Sequence, residues 1–170
     1  MIDLDGKAIV ATVSAIIAVA AVYVNFRLWS SENRPIVTAE IRTHGDAGNV
    51  SIVYDLVVRN CGNRPAANVQ LSALTSAVEG ALTPQISSQE RRQLLRCFEA
   101  AYQVPLLHQG DTVRNAFGST SIEPDRNVLV YGAKIPIVIT YQDVDGRNFQ
   151  SMLTLVVRDT TNFADAGWGD

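Results

Sequence analysis

One unbroken apolar run, AIVATVSAIIAVAAVYV at residues 8–24, constrains this chain more than any other feature. It holds no charge, no Gly and no Pro. With Asn25, Phe26, Leu28 and Trp29 it reaches roughly 20 residues, which at about 1.5 Å per residue crosses a hydrocarbon core of about 30 Å. Only Thr12 and Ser14 interrupt it, so it lacks the polar stripe of a buried soluble helix. A cleavable signal peptide would want a basic cluster before the run, and only Lys7 stands there, beside Asp3 and Asp5. No convincing small-x-small cleavage site follows in NFRLWSSENRP. The run therefore reads as a retained single-pass transmembrane helix within residues 1–29, anchored in membrane lipid. Residues 30–35 form a polar linker that closes on Pro35.

The anchor carries two further signals. Small residues recur four apart, Ala11 with Ala15 and Ser14 with Ala18, a spacing that lets membrane helices pack closely in a homo-oligomer. The abundance of Ala in the run explains the same pattern without a partner helix. Lys7 lies on the N-terminal side, whereas Arg27, Arg34 and Arg42 follow the run. The positive-inside rule then favours the domain on the cytoplasmic face of the inner membrane. The opposite orientation competes, because a short acidic N-terminus crosses easily and tethered sandwiches are often exported.

From Ile36 onward the hydrophobic period changes to two. IVTAEIRT (36–43), VSIVYDLVVRN (50–60) and ANVQLSAL (67–74) read as strands, with HGDAGN (44–49) as a turn. SSQERRQLLRCFEAAY (87–102) has helical spacing instead, with Ser87 and Glu90 placed as a capping box. Leu94 meets Phe98 at i+4, and Leu95 meets Phe98 and Tyr102 at i+3 and i+7. Strand character returns over 104–119, as one or two strands around the turn at Gln109-Gly110-Asp111; 127–143 holds a loop and then a strong strand, Ile135 to Tyr141; and 147–159 runs back, with Asp145-Gly146 as a hairpin turn. About seven strands with one helical insertion give a mainly β fold: an antiparallel immunoglobulin-like sandwich over residues 36–158 and a loose tail over 159–170. On Ile52, Tyr54, Leu56 and Val58 the more apolar face of the long strand points to the core.

The stretch RNCGNRPAANVQL (59–71) raises the question of a site. Each residue has a structural reason to be there. Asn60 and Asn63 can bond nearby backbone, Gly62 permits unusual φ, and Pro65 ends pairing. The corner reading is preferred to a ligand site.

VVRNCGNRPAANVQL (57–71) also resembles the N-x-G-x-x-P-A-x-N-V corner of bacterial immunoglobulin-like domains of the CARDB kind. PLLHQGDTV (105–113) resembles their leucine, Pro-Gly, acid segment, with His108-Gln109 replacing the usual Pro. ITYQDVDGRNFQSMLTL (139–155) is similar to their final hairpin. The layout of membrane helix, aromatic-basic exit and corner resembles a scattered group of small bacterial membrane proteins of unknown function. The resemblance implies an adhesion or interaction module without a catalytic site. The insertion at 87–102 departs from the simple sandwich and is a reasonable place for a private function.

Chemistry-bearing patterns are sparse. His44 and His108 stand alone, without H-E-x-x-H spacing, and two isolated cysteines do not complete a zinc set. There is no P-loop, G-x-G-x-x-G or G-x-S-x-G pattern. DVDG (143–146) begins like a calcium loop, but Arg147 holds the next ligand position and no acid closes it, so a hairpin turn explains it. No metal, cofactor or enzymatic activity is expected. Setting aside Lys7, Arg27, Asp3 and Asp5, the rest of the chain has 12 Lys plus Arg against 15 Asp plus Glu. That balance does not favour nucleic acid.

Arg91, Arg92 and Arg96 in ERRQLLR read as a solvated helix face, or as a contact for anionic lipid or an acidic partner. Cys61 and Cys97 would be core thiols in the cytoplasm. Outside it they could close a disulfide loop of 36 residues, worth about 3–4 kcal/mol in the chain-entropy model. The leading expectation is a non-enzymatic, membrane-anchored module that displays the sandwich to another membrane or membrane-associated protein. The alternative is a membrane sensor or effector whose sandwich binds a small ligand while the anchor oligomerises.

Overall fold

A computed structural model describes residues 6–46, 51–121 and 127–160. The chain divides into two compact units at the Arg34–Pro35 step. The first is a helix, α1 (Gly6–Glu32). Its segment Ala8–Trp29 is long and apolar enough to cross a membrane, and none of it is buried. At about 1.5 Å per residue, those 22 residues span about 33 Å. The helix runs through Glu32, so the first half of the expected linker is its last turn; Asn33 then closes it, with N and Nδ2 both donating to the Trp29 carbonyl.

The second unit is a β-sandwich. Its elements are β1 (Val37–Asp46), β2 (Ser51–Asn60), β3 (Ala66–Ala73), α2 (Thr75–Glu79), α3 (Ser88–Arg96), β4 (Val104–Leu107), β5 (Thr112–Ser121), β6 (Lys134–Gln142) and β7 (Asn148–Val156). One sheet has the order β1-β2-β5 and the other β4-β3-β6-β7, all pairs antiparallel. The fourth strand pairs with the third. In a constant-type immunoglobulin domain it would join the first sheet. Of the turn expected at 44–49, residues 44–46 belong to β1, and 47–49 lie outside the described residues, as do residues 161–170 of the expected tail.

Alternation makes the core. Ile135, Ile137, Ile139 and Tyr141 are buried on one face of β6, while Pro136, Val138, Thr140 and Gln142 face outward. They meet Tyr54, Leu56, Val58 and Phe117 from the other sheet. The expected core face of β2 is thus buried at Tyr54, Leu56 and Val58. Its opposite face is buried too, at Asp55 and Val57, since β2 is the central strand and the long side chains of its neighbours flank it. Pairing of β3 with β6 ends at Ile137, so Pro136, which has no N–H to give, sits beyond it.

One glycine is required by close approach. Gly118 has φ 120 at the β2–β5 register shift, and a Cβ there would stand 2.9 Å from Val128 Cγ1. This is a bulge that only glycine accommodates. The β6–β7 hairpin uses another: Gly146 N–H donates to the Asp143 carbonyl, and Gly146 takes φ 79. That is a turn followed by a left-handed residue, as three-residue hairpin loops prefer.

The insertion differs from its expected length. α3 ends at Arg96 rather than running to 102. The N–H groups of Cys97, Phe98 and Glu99 bond three residues back, a tightening typical of helix ends. This tucks Phe98 edge-on to Phe117, ring centroids 6.0 Å apart. Tyr102 lies beyond the helix and is half exposed. A second short helix, α2, precedes α3; its buried Val78 holds it to the core. Nothing in the amphipathic spacing singled it out.

Candidate interaction surface

The corner at 59–71 is a structural hub. Asn60 is fully buried, and its side chain makes four hydrogen bonds. Nδ2 donates to the carbonyls of Arg64 (2.7 Å) and Leu107 (3.1 Å). Oδ1 accepts from the N–H groups of Gly62 (3.0 Å) and Ile36 (3.3 Å). One amide therefore closes the turn, fixes the start of β1 and ties β2 to β4 in the other sheet. Pro65 leads directly into β3, and the left-handed residue that follows is Asn68, φ 51, at a register shift of β3 against β6. Arg64 reaches the final hairpin, 2.7 Å from Asp145 Oδ2 and 3.9 Å from Asp143 Oδ2. Buried Asp143 turns its Oδ1 to the N–H groups of Asp145 and Arg147, 2.9 Å each. These carboxylates are spent on the turn. Among the described residues, no three His, Cys, Asp or Glu side chains gather as a metal site.

Each of the three arginines of α3 has a contact of its own. Arg91 pairs with Glu79 of α2 at 3.3 Å. Arg92 Nε donates to the Ser88 carbonyl, and the Arg96 guanidinium lies 5.8 Å from the Tyr102 ring centroid. The capping box is present: Ser87 Oγ accepts from the Glu90 N–H, and Glu90 reaches back to the Ser87 N–H. Cys61 and Cys97 are both free thiols. Cys61 follows β2 and sits 3.7 Å from Thr38 Oγ1, while Cys97 caps α3 and accepts from Asn115 Nδ2 at 2.9 Å. Asn115 pairs with Leu56, about 16 Å along β2 from Cys61 at roughly 3.3 Å per residue. The Cys61–Cys97 link is therefore not formed, because the two thiols are held at different levels of the sheet. Burial pushes the Cys97 thiol above its ordinary value, opposed by the Asn115 hydrogen bond. On α1, Ala11, Ser14, Ala15 and Ala18 share one exposed stripe.

The surface that stands out was not singled out by sequence. In the four-stranded sheet, the strands β4, β3, β6 and β7 carry one charged residue, Lys134. Its outer face is apolar at one end and rich in amides at the other. At the apolar end a cavity of about 750 Å³ is bordered by Leu74, Pro136, Val138 and Met152. Leu74 is 74% exposed and Met152 76%. At the other end Asn68 Nδ2 donates to Gln142 Oε1, and Gln142 Nε2 donates to Asn148 Oδ1, each at 3.0 Å. Gln70, Thr140 and Gln150 continue that end around a cleft of about 640 Å³. The signal was available: outward positions of 136–142 and 148–154 alternate without a single charge.

A family model described as a domain of unknown function, DUF8453, matches residues 6–161. The chain belongs to the DUF8453 family. The match takes in α1 as well as the sandwich, so helix and sheets together are the family's unit. Among curated proteins, none matches this DUF8453 chain.

Proposed function

We propose that this chain is a non-enzymatic, single-pass membrane protein that docks a protein partner on the outer face of its four-stranded sheet. The observation that carries the reading is the uncharged face with Leu74 and Met152 exposed at one end. Interface cores are depleted in charge and enriched in Met. Helix α1, apolar all round, supports the anchor. Arg27, Arg34 and Arg42 against Lys7 support a cytoplasmic domain at the inner membrane. The resemblance of the corner to CARDB-like domains supports an interaction role. So does the use of the buried polar side chains: Asn60, Asp143, Tyr54 and Thr120 bond within the fold.

The test is photocrosslinking in intact membranes. A photoreactive residue replaces Met152 in one full-length variant and Arg42, on the other sheet, in a second. The expected result is a discrete adduct from position 152 that Val138→Glu abolishes, with no matching adduct from position 42. The same adducts from both positions, or none from 152, would reject this face.

A further inference from the structure

The sandwich is open along one side, where β4 and β5 are the edge strands of their sheets. Helix α3 and the segment after it stand over that opening. Beneath them is a crevice of about 660 Å³, within the about 300–1,000 Å³ range of small-molecule sites. Its floor is the sandwich interior: Leu56 and Val58 from β2, Val69 and Leu71 from β3. Its rim is polar. Gln93 and Arg96 come from α3, Gln103 from the segment after it, and Asn115 from β5.

The charge of this crevice is one-sided. No acidic residue borders it. Arg114 borders it, but Val113 and Phe117 of β5 point inward, so the alternating Arg114 side chain leaves on the outer face. Arg96 is the cation at the mouth. Among the described residues it forms no ion pair, and its contact with the Tyr102 ring holds it at the rim. An apolar-floored crevice at the open edge of the sandwich, with one guanidinium over the mouth and neutral amides beside it, suits one ligand chemistry.

We propose that the crevice binds a single-chain anionic amphiphile of the fatty-acid class, with its acyl chain lying along the apolar floor beneath α3 and its carboxylate on Arg96. A planar guanidinium pairs with a carboxylate through two parallel hydrogen bonds. The crevice size suits one acyl chain. The crevice meets the amide-rich end of the docking face at Gln103 but lies away from its apolar end at Met152, so either proposal can fail without the other.

The test uses the full-length chain in nanodiscs of zwitterionic phosphatidylcholine. Laurate is titrated below its micellar range, with 1-dodecanol as the uncharged match. Alkylation of Cys97, which borders the crevice, is timed by mass spectrometry against exposed Cys61 in the same sample. Laurate should slow Cys97 saturably and leave Cys61 unchanged. Dodecanol should need roughly tenfold more, and so should laurate on Arg96→Gln, while Arg96→Lys recovers most of the difference. A diazirine-bearing laurate should label residues 93–104 or 113–116. Equal protection by acid and alcohol, indifference to Arg96→Gln, equal slowing of both cysteines, or labelling confined to α1 would each overturn the proposal.

Discussion

The two sheets differ in where they carry charge. Strands β1, β2 and β5 hold Glu40, Arg42, Asp46, Asp55, Arg59 and Arg114, whereas the larger sheet has Lys134 alone. The smaller sheet solvates its outer face in the ordinary way. Arg42 and Glu40 pair at 2.7 Å in the open, and buried Asp55 accepts from exposed His44 at 2.8 Å. The larger sheet leaves Met152 and Leu74 in water without such cover. An exposed uncharged sheet face invites association unless something specific uses it. The smaller sheet thus meets solvent with paired charges, whereas the larger presents an uncharged, partly apolar face to it.

The largest effects should come from what joins the sheets, because both faces depend on it. Phe117 is fully buried and carries the edge contact with Phe98. Phe117→Ala should cost about 3–5 kcal/mol in urea unfolding, whereas Met152→Ala should change little, within about 0.5 kcal/mol. Equal costs would mean that the outer face is already part of a packed core.

Asn60→Ala comes next. It strands the Ile36 and Gly62 N–H groups and the Arg64 and Leu107 carbonyls around one buried position. A loss of about 2–4 kcal/mol is expected, since each orphaned buried group costs on the order of 1 kcal/mol or more. Hydrogen exchange should then rise at both β4 and the start of β1. A rise at the corner alone would reduce Asn60 to a local turn former. Arg64→Ala should be milder, about 1 kcal/mol. Asp143 keeps its two backbone donors, and Asp145, the closer partner, is half exposed.

The sharpest contrast pairs two surface changes. Arg42→Ala and Met152→Glu should each move stability by no more than about 0.5 kcal/mol. Only Met152→Glu should remove the association, read by crosslinking from a photoreactive residue at the neighbouring outward position, Thr154. If Arg42→Ala removes it instead, the charged sheet is the docking side and the comparison reverses.

Much of this architecture was legible from local signals. The period-two runs located the strands, and Ser87 with Glu90 located the start of α3, because capping and alternation act within a few residues. The long-range features were not legible. The end of α3 at Arg96 reflects the pull of Phe98 onto Phe117, which lies 19 positions away in the chain. Burial of Asp55 and Val57 follows from β2 being central, which no single strand declares. The corner was correctly placed as a turn, but its reach from Asn60 to Leu107 needs the folded register. The uncharged sheet was written in the sequence, but an absence of charge becomes visible as a surface only when four separated strands are laid side by side.

The smallest expected effect concerns the insertion, which connects β3 to β4 of the larger sheet but bonds to the smaller one through Cys97 and Asn115. Burial raises the Cys97 thiol pKa, and the Asn115 hydrogen bond lowers it in opposition. Thiolate is the reactive form, so alkylation of Cys97 should climb with pH and reach its midpoint above the ordinary thiol range. The raised folded-state value also means that this group's contribution to stability is full below the unfolded thiol pKa and is lost as pH rises through the folded one. Asn115→Ala removes the opposing donor, so the midpoint should move further up. The same change opens space beside the sulfur and could quicken the reaction at the high-pH plateau. The two effects separate in a full pH profile, where the midpoint reports the hydrogen bond and the plateau reports access. A midpoint that stays put or falls would mean that Asn115 does not stabilise the thiolate.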